Sequence, residues 1–356
     1  MTLCPARLEP IFSARPWGAL SLAPYFPEKS DLVERLGEAW MTGNECRFAT
    51  GPWAGRTLGE AWPKMPVEWA GTHADQRAIF PLLVKFIFAE EKLSVQVHPG
   101  DEYAAAHERL PGGATACGKT EMWYAMRARA GAEVLAGLKP DVTRESFARA
   151  IAEGTAEDCL ERVPLRAGEA IFVPAGTAHT IGAGLVLCEI QQNSDITYRV
   201  YDYNRRDAQN RSRELHIEKA LEVMRFVEQP GGKIQPVRIE RDGGLNEIFF
   251  AACRYFVTEK WEISERVTAK TRSAHFELVV FLEGDGTISW DGGSAPYDPA
   301  QVWLLPAKLG VYTIEPSASA VTSLLQTYAP SNPEEVERQL REQGVDEAAM
   351  QKVIFR

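Results

Sequence analysis

Ser94-Val95-Gln96-Val97-His98-Pro99 alternates polar and apolar side chains. In an extended strand, side chains two residues apart share one face, so the polar residues point one way and the valines pack the other way. Two possible metal ligands, Gln96 and His98, are therefore expected to face one cavity. The stretch predicts a strand with one core face and one ligand-binding face.

Two further segments supply donors of the same kind. The strand period places Lys119 and Glu121 together on a second strand, and His179 follows the turn Pro174-Ala175-Gly176. Four residues then offer nitrogen and oxygen ligands without a thiolate: Gln96, His98, Glu121 and His179. This set suits zinc or another borderline divalent ion and leaves room for a water or substrate oxygen.

Each of these residues also has a simpler interpretation. A single partly buried His or Glu is more often a hydrogen-bonded structural residue than a ligand, by about 4 to 1. The grouping changes these odds, because two of only six histidines lie in strand and turn contexts beside a carboxylate. The other four lack such neighbours and are predicted to be surface or core residues: His73, His107, His216 and His275.

The spacing of Gly168, Pro174, Gly176 and His179 resembles the second motif of the cupin superfamily. The first cupin motif, normally His-x-His with a nearby Glu, resembles Gln96-Val97-His98 with Glu121, opened by an insertion at residues 101–118. Residues 101–110 are rich in helix formers, and Pro111-Gly112-Gly113 would end such a helix. The helix is thus expected to interrupt the barrel motif without destroying it.

The chain also resembles one family up to about Pro330, the type I phosphomannose isomerases in their shorter bacterial form. The resemblance rests on Pro16-Trp17-Gly18, Leu36-Gly37-Glu38-Ala39-Trp40, Leu83-Val84-Lys85-Phe86, Leu93-Ser94-Val95-Gln96-Val97-His98-Pro99, Gly118-Lys119-Thr120-Glu121-Met122-Trp123-Tyr124 and Ser194-Asp195-Ile196-Thr197-Tyr198-Arg199-Val200-Tyr201-Asp202-Tyr203-Asn204-Arg205. It implies one zinc ion per chain, held by Gln96, His98, Glu121 and His179. It also implies interconversion of mannose 6-phosphate and fructose 6-phosphate.

This reaction moves a proton between C1 and C2 of the sugar, so it needs a positioned acid/base and a way to stabilise an enediolate. Glu189 matches a carboxylate that the family places near the sugar and is the first choice of proton carrier. Lys119 is the rival, because an amine beside a divalent cation and near Arg199 could have a lowered pKa. The sequence leaves this choice open.

Three more residues are assigned through the resemblance. Arg199 would steady the enediolate or grip a phosphate, although a strand Arg paired with Asp195 or Asp202 is the common structural alternative. Lys85 and Ser94 match family positions near the phosphate. A lysine inside the apolar run at residues 80–88 is otherwise a costly placement, which favours a binding role.

Other functions are compatible with parts of the pattern. The alternatives are an isomerase of unphosphorylated aldoses, a metal-dependent cupin dioxygenase, and a sugar-phosphate binding protein without catalysis. A dioxygenase gives no reason for Gln96 together with Lys85, Ser94 and Arg199. Retention of Glu189 and Lys119 argues against a binding protein.

Composition sets the remaining expectations. The formal net charge of −10 over 356 residues argues against nucleic acid or an anionic membrane as partner. No apolar run has the length of a signal peptide or a membrane span, so a cytoplasmic protein is expected, either a monomer or a homodimer. Six cysteines without a Cys-x-x-Cys pair are expected to be reduced.

The expected architecture is mainly β, with two cupin, jelly-roll-like barrels and short helices. Strands are predicted at residues 170–174, 185–191, 251–258, 276–282, 286–290 and 302–306, with 283–286 as a hairpin turn. Helices are predicted at residues 30–40, 101–110, 143–153, 216–227 and 333–343.

Turn residues at 229–233 predict a domain boundary. Residues 1–230 would form the catalytic barrel, and 231–330 a second barrel without the metal residues, since no histidine follows Pro306. Residues 331–356 would form a helical tail, either docked, in contact with another subunit, or solvated.

Overall fold

Four antiparallel sheets carry the fold of this computed structural model, which describes residues 2–74, 79–110, 115–206, 210–226, 232–241, 243–318 and 321–356. The strands up to residue 201 are β1 (Ala6–Leu8), β2 (Ile11–Ala19), β3 (Leu36–Trp40), β4 (Leu82–Ala89), β5 (Val95–Val97), β6 (Glu121–Ala128), β7 (Glu133–Leu138), β8 (Leu160–Pro164), β9 (Ala170–Val173), β10 (His179–Ile181), β11 (Leu185–Gln192) and β12 (Tyr198–Tyr201). The later strands are β13 (Gly232–Lys233), β14 (Val237–Glu240), β15 (Leu245–Ala252), β16 (Val257–Ile263), β17 (Val267–Lys270), β18 (Glu277–Glu283), β19 (Gly286–Trp290), β20 (Gly293–Tyr297), β21 (Val302–Leu305), β22 (Val311–Pro316) and β23 (Thr322–Tyr328).

The helices are short. They are α1 (Leu58–Ala61), α2 (Val67–Ala70), α3 (Asp101–His107), α4 (Arg144–Glu153), α5 (Ile217–Val223), α6 (Pro333–Glu342) and α7 (Glu347–Met350), with 3-10 turns at Pro27–Lys29, Trp62–Lys64 and Ala156–Cys159. Among the described residues, no helix is both long and apolar enough to cross a membrane.

The strands form two barrels of two sheets each. The first barrel has the sheets β13-β9-β6-β11-β4-β3-β2 and β12-β5-β10-β7-β8. The second has β1-β21-β18-β23-β16-β15-β14 and β17-β22-β19-β20. The predicted mainly β class with two jelly-roll-like barrels is confirmed.

One edge strand joins the start of the chain to the second barrel. β1 pairs with β21 through Ala6 and Leu304, whereas β2 belongs to the first barrel. The division into residues 1–230, 231–330 and 331–356 stays a prediction. Part of its first boundary, residues 229–231, lies outside the described residues.

Most predicted strands are confirmed, namely those at residues 170–174, 185–191, 276–282, 286–290 and 302–306. The strand predicted at 251–258 is wrong, because a turn closed by the hydrogen bond from Cys253 N to Phe256 O separates β15 from β16. The predicted hairpin at 283–286 is also wrong. It connects β18 and β19, which belong to different sheets.

Among the predicted helices, 143–153 and 333–343 are confirmed as α4 and α6. The helices at 101–110 and 216–227 exist but end earlier, at His107 and Val223. The predicted stop at 111–113 and residue 227 lie outside the described residues. All six cysteines are free thiols, as expected.

The helix predicted at 30–40 is wrong, because Leu36–Trp40 is strand β3 between β2 and β4. Two glycines permit the close approach of β2 and β3. A Cβ on Gly18 would lie 2.4 Å from the carbonyl carbon of Leu36, and one on Gly37 would lie 2.5 Å from the Cβ of Arg15. Sheet pairing and burial here outweigh the helix propensity of Leu, Glu and Ala.

The C-terminal tail is docked. Its apolar side chains Val336, Leu340, Met350 and Val353 are buried in a core cluster that also contains Phe86 of the first barrel and other residues of both barrels. This cluster fixes the tail and the two barrels against one another.

Candidate active site

Strand β5 presents its side chains to two faces. Val95 and Val97 are fully buried in an apolar cluster with Phe147 and Tyr198. On the other face, the hydroxyl of Ser94 lies 3.4 Å from Oε1 of Gln96. The alternation of the sequence therefore places the polar residues of β5 on the cavity side.

Strand pairing brings the segments that contain Glu121 and His179 next to β5. His179, the first residue of β10, stands directly opposite Gln96 on β5. Glu121 is the first residue of β6. Its Oε1 lies 3.5 Å from Nε2 of His98 and 3.4 Å from Nε2 of His179. One ligand atom from each of His98, Glu121 and His179 lies within 4.8 Å of the others, and all three residues are buried.

Backbone carbonyls orient both imidazoles. Nδ1–H of His98 donates to the carbonyl of Ile196 at 2.8 Å, and Nδ1–H of His179 donates to the carbonyl of Thr177 at 2.9 Å. Each Nε2 is left with a lone pair directed at Glu121. Fixing the tautomer through the outer ring nitrogen is the usual arrangement around a metal-binding histidine.

The charges of these groups favour metal binding. Burial lowers the pKa of His179 to about 3, although Glu121 opposes the shift. Burial and the Lys119 cation lower the pKa of His98. Burial opposes ionisation of Glu121, but Lys119 and His98 hold the pKa of this carboxyl well below its usual value. The group therefore presents two neutral imidazoles and one carboxylate, the protonation states that metal ligands need.

A divalent cation fits this group. Among the described residues, Nε2 of His98 and both carboxylate oxygens of Glu121 are buried without a hydrogen-bond partner. Lys119 Nζ forms an ion pair with Oε2 of Glu121 at 2.8 Å. Nε2 of Gln96 lies 3.3 Å from Nε2 of His179, so this amide, turned by 180°, would present its oxygen to the same point. Buried unpaired acceptors are costly unless an ion satisfies them.

A cavity of about 420 Å³ opens beside the group and is lined by Gln96. Its wall also carries more cations than anions: Arg15, Lys85, Lys119, Arg199 and Arg213 against Glu38, Glu189 and Asp195. In a chain with a net charge of −10, this concentration of positive charge is local. The cavity is therefore suited to an anionic small molecule.

Glu189 lies in the wall of this cavity on β11. Burial raises the pKa of its carboxyl to about 7, although Lys119 opposes the shift. Nε1–H of Trp123 donates to its Oε2 at 3.1 Å, and Nζ of Lys119 lies 3.6 Å from its Oε1. A carboxyl that titrates near neutral pH in a cavity can accept and return a proton.

Lys119 lies between Glu189 and the group formed by His98, Glu121 and His179. Burial alone would lower its pKa, but Glu121 and Glu189 raise the pKa of this ammonium above its usual value. The lowered pKa that the sequence predicts beside a divalent cation is opposed by these two carboxylates. Lys119 is a fixed cation between two carboxylates, and Glu189 is the better candidate for proton transfer.

Lys85 is 2% exposed, and its Nζ makes an ion pair with Asp195 at 2.9 Å. The same ammonium lies 4.0 Å from Oε1 of Glu189 and 4.3 Å from the ring centroid of Trp40. A buried lysine with these contacts is a preformed cationic site at the cavity wall.

Arg199 does not form the alternative structural pair with Asp195 or Asp202. Its Nε–H donates to Oγ of Ser94 at 3.1 Å, and its Nη1–H donates to the carbonyl of Glu214 at 3.1 Å. Asp202 instead binds Arg205 and Arg213. The structure thus brings Arg199 and Ser94 together on the cavity wall.

Some cavity residues were not predicted from the sequence. His216 was expected to lie apart, but it lines the cavity, where its Nδ1 accepts the backbone N–H of Arg199 at 3.4 Å. Arg15 and Glu38 form a bidentate pair from β2 and β3. Trp123, which bonds to Glu189 of the cavity wall, had a signal in the sequence, since it lies two residues after Glu121 and shares its strand face. The others depend on pairings between distant segments.

Comparison with known proteins shows the family of the chain. Mannose-6-phosphate isomerase ManA of Bacillus subtilis is 34% identical to the chain over 329 residues, which make up 91% of this chain and 100% of that protein. The chain belongs to the mannose-6-phosphate isomerase family. The family model described as the mannose-6-phosphate isomerase cupin domain matches residues 246–325, within the second barrel.

Solved structures of the mannose-6-phosphate isomerase family have the same fold. The crystal structure of the Bacillus subtilis enzyme matches with a TM-score of 0.80 and 30% identity, covering 91% of this chain and 99% of that one. A mannose 6-phosphate isomerase in its zinc-bound holo form matches with a TM-score of 0.68 at 16% identity, with the same coverage, which is a likeness of fold.

Proposed function

We propose that this chain interconverts mannose 6-phosphate and fructose 6-phosphate at the cavity of the first barrel. The observation that carries the proposal is the position of Glu189. Its carboxyl, with a pKa raised to about 7 by burial, is joined through Lys119 to the group of His98, Glu121 and His179. An acid/base and a cation site then face one cavity with room for a sugar phosphate.

The metal would be held by His98, Glu121 and His179, with Gln96 as the fourth ligand. Nitrogen and oxygen donors without a thiolate suit zinc and leave a coordination position for a sugar oxygen. When bound, a divalent cation acts as a Lewis acid that polarises the substrate oxygens and offsets the negative charge that develops on them. The chain supplies two neutral imidazoles for this purpose, because burial lowers the pKa of both.

Proton transfer would be carried out by Glu189. Its ionised carboxylate removes the proton from C2 of the open-chain aldose, and the resulting carboxylic acid returns a proton to C1 of the enediolate. Trp123 holds one carboxylate oxygen in place, at 3.1 Å from its indole nitrogen. Arg199 would steady the negative charge of the enediolate.

The phosphate group would be bound by Lys85 and Ser94. Both residues are 2% exposed and line the same cavity, so neither is a solvated surface group. Lys85 supplies charge and Ser94 a hydroxyl, and together these can bind a dianion without a glycine-rich loop. The excess of cations in the wall favours a phosphosugar over an unphosphorylated aldose.

A chelator-sensitive isomerase assay tests the proposal. With mannose 6-phosphate as substrate and enzymatic removal of the ketose, the zinc-loaded chain should turn over, the chelated chain should not, and added zinc should restore the rate. In heavy water the product should gain deuterium from solvent. Equal or better turnover of free mannose would contradict the phosphosugar assignment, whereas solvent deuterium in the product would exclude a hydride shift.

A further inference from the structure

The two barrels are built on one strand plan. In the large sheets, the order β13-β9-β6-β11-β4-β3-β2 of the first barrel corresponds position by position to β1-β21-β18-β23-β16-β15-β14 of the second. The registers also agree, because Glu121 on β6 pairs with Val173 at the end of β9, and Glu277 on β18 pairs with Leu305 at the end of β21. Residues of the two barrels can therefore be equated strand by strand.

This correspondence identifies the counterparts of the catalytic-cavity residues in the second barrel. Glu189 stands opposite Trp123, two residues after Glu121, and Gln326 stands opposite Val279, two residues after Glu277. Following the pairings to the neighbouring strands equates the polar residues of the first cavity with polar residues of the second barrel. Glu38, Lys85, Glu121 and Glu189 correspond to Glu247, Glu259, Glu277 and Gln326.

Contacts of these residues are similar as well. The Arg15–Glu38 ion pair of the first barrel recurs as the pair between Nε of Arg241 and Oε2 of Glu247, at 2.7 Å. The cation beside the acidic residue of β18 is now a guanidinium. Arg272 binds Oε1 of Glu259 at 2.6 Å and Oε1 of Glu277 at 3.2 Å. In place of the pair Gln96 and His179, the second barrel has Ala269 opposite Tyr312.

The second barrel encloses a cavity of about 620 Å³ at this position. Two of its lining residues have buried polar atoms without a partner among the described residues, Nε1 of Trp261 and Oε1 of Gln326. Trp261 is 7% exposed and Gln326 is 1% exposed. Both residues line the cavity, so a ligand hydroxyl that reached these two atoms would satisfy one unpaired donor and one unpaired acceptor.

Near solvent, the wall of this cavity carries two exposed cations. Arg266 and Lys270, both exposed, line the same cavity. The only acidic partner that either has among the described residues is Glu315, whose Oε2 is 3.9 Å from Nη1 of Arg266, at the limit of an ion pair. A ligand with hydroxyl groups at one end and negative charge at the other would satisfy both regions.

We propose that the second barrel carries a binding site, separate from the catalytic cavity, for a polyhydroxylated anion of the sugar-phosphate class. Its hydroxyl groups contact Trp261 and Gln326, and its phosphate lies near Arg266 and Lys270. Without the metal ligands and with Gln326 in place of the carboxylate Glu189, the site binds and does not isomerise. It does not depend on the proposed isomerase activity, because binding is measured without turnover.

Nuclear magnetic resonance of the zinc-loaded chain, with ¹⁵N in the tryptophan indoles, tests this site. D-glucitol 6-phosphate, a polyol phosphate without a carbonyl, serves as the probe. The indole signal of Trp261, assigned with Trp261→Phe, should shift and saturate. The indole of Trp123 reports the catalytic cavity in the same titration, so failure at one site is distinguished from failure at the other.

Changing Arg266 and Lys270 together to Glu should weaken the affinity measured at Trp261 by at least about tenfold and leave the affinity measured at Trp123 unchanged. Lys139→Glu with Lys352→Glu, two exposed sites elsewhere, makes the same change in net charge and should alter neither. An unmoved Trp261 signal, or an affinity unaffected by the Arg266/Lys270 change, would overturn the proposal. So would inorganic phosphate binding as tightly as the polyol phosphate.

Discussion

Trp123 and Glu189 face each other across the paired strands β6 and β11, and the indole N–H of Trp123 donates to Oε2 of Glu189 at 3.1 Å. This bond stabilises the ionised carboxylate, so Trp123→Phe should raise the pKa of Glu189 further. A hydrogen bond to a charged group is worth about 1.5–3 kcal/mol, which corresponds to a shift of about one pH unit or more. The pH at which kcat/KM rises should be higher by that amount.

The control for this variant is Trp69→Phe. Trp69 is also fully buried, and its indole nitrogen has no hydrogen-bond partner among the described residues. It should lower stability by loss of packing but leave the pH profile in place. Equal profiles for Trp123→Phe and the unchanged chain would exclude a positioning role for Trp123.

Glu189→Gln should abolish proton transfer while preserving shape. We expect kcat to fall by about 10²–10⁴ with zinc content unchanged, because general acid/base catalysis contributes that range. In the unchanged chain, activity should rise with pH as Glu189 ionises. Burial raises its pKa to about 7, and a bound cation would lower it, so the limb is expected at or below that pH. Activity that does not fall on acidification at any pH where the chain stays folded would speak against Glu189 as the base.

His179→Ala should remove metal and activity together, as measured by elemental analysis and the isomerase assay. His107→Ala, at an exposed position, should change neither.

Because burial lowers the pKa of His179 to about 3, the unfolded chain takes up a proton here near pH 6.5 and the folded chain does not. This group therefore favours folding above pH 6.5 and loses that contribution as pH falls towards 3. His179→Ala, compared with the unchanged chain in metal-free urea titrations, should show a weaker loss of stability on acidification.

Lys85→Met retains the apolar stem but removes the ammonium that pairs with Asp195 at 2.9 Å. The KM for mannose 6-phosphate should rise about 10- to 100-fold, since a charge-assisted contact to phosphate is lost. Turnover of free mannose should change far less. Lys92→Met, which removes a half-exposed lysine, is the matched control. An unchanged KM would place the phosphate elsewhere or point to a free aldose as substrate.

Leu340→Ala tests the docking of the tail. Leu340 is 2% exposed in the core cluster that contains residues of both barrels. The free energy of unfolding in urea should fall by about 2–5 kcal/mol. Val33→Ala, at a fully exposed site, should change it by no more than about 0.5 kcal/mol. Equal values for the two variants would contradict a docked tail.

Much of the candidate site was accessible from the sequence because its signals are local. The alternation at Ser94–His98 and the turn before His179 both concern neighbouring residues, so strand geometry alone orients Gln96, His98 and His179. The repeated apolar runs likewise predicted most strands of both barrels. Where local pattern and tertiary pairing agree, the sequence suffices.

The remaining features depend on contacts between distant segments. Residues 30–40 have good helix formers, yet Leu36–Trp40 pairs with strands on both sides. The pKa of Lys119 was expected to be lowered, and only the positions of Glu121 and Glu189 reveal why it is raised. Lys85 with Asp195, and Arg199 with Ser94, are likewise partners that no local pattern predicts.

The pairing of β1 with β21 constrains how the chain matures on the ribosome. Ala6 pairs with Leu304, so β1 can pair with β21 only after the long stretch of chain between them has been synthesised. Until then only the side of Ala6–Leu8 that faces β21 has unpaired backbone groups, because the other side can already bond to residues 48–50. Closure of the second barrel by β1 thus follows the synthesis of β21.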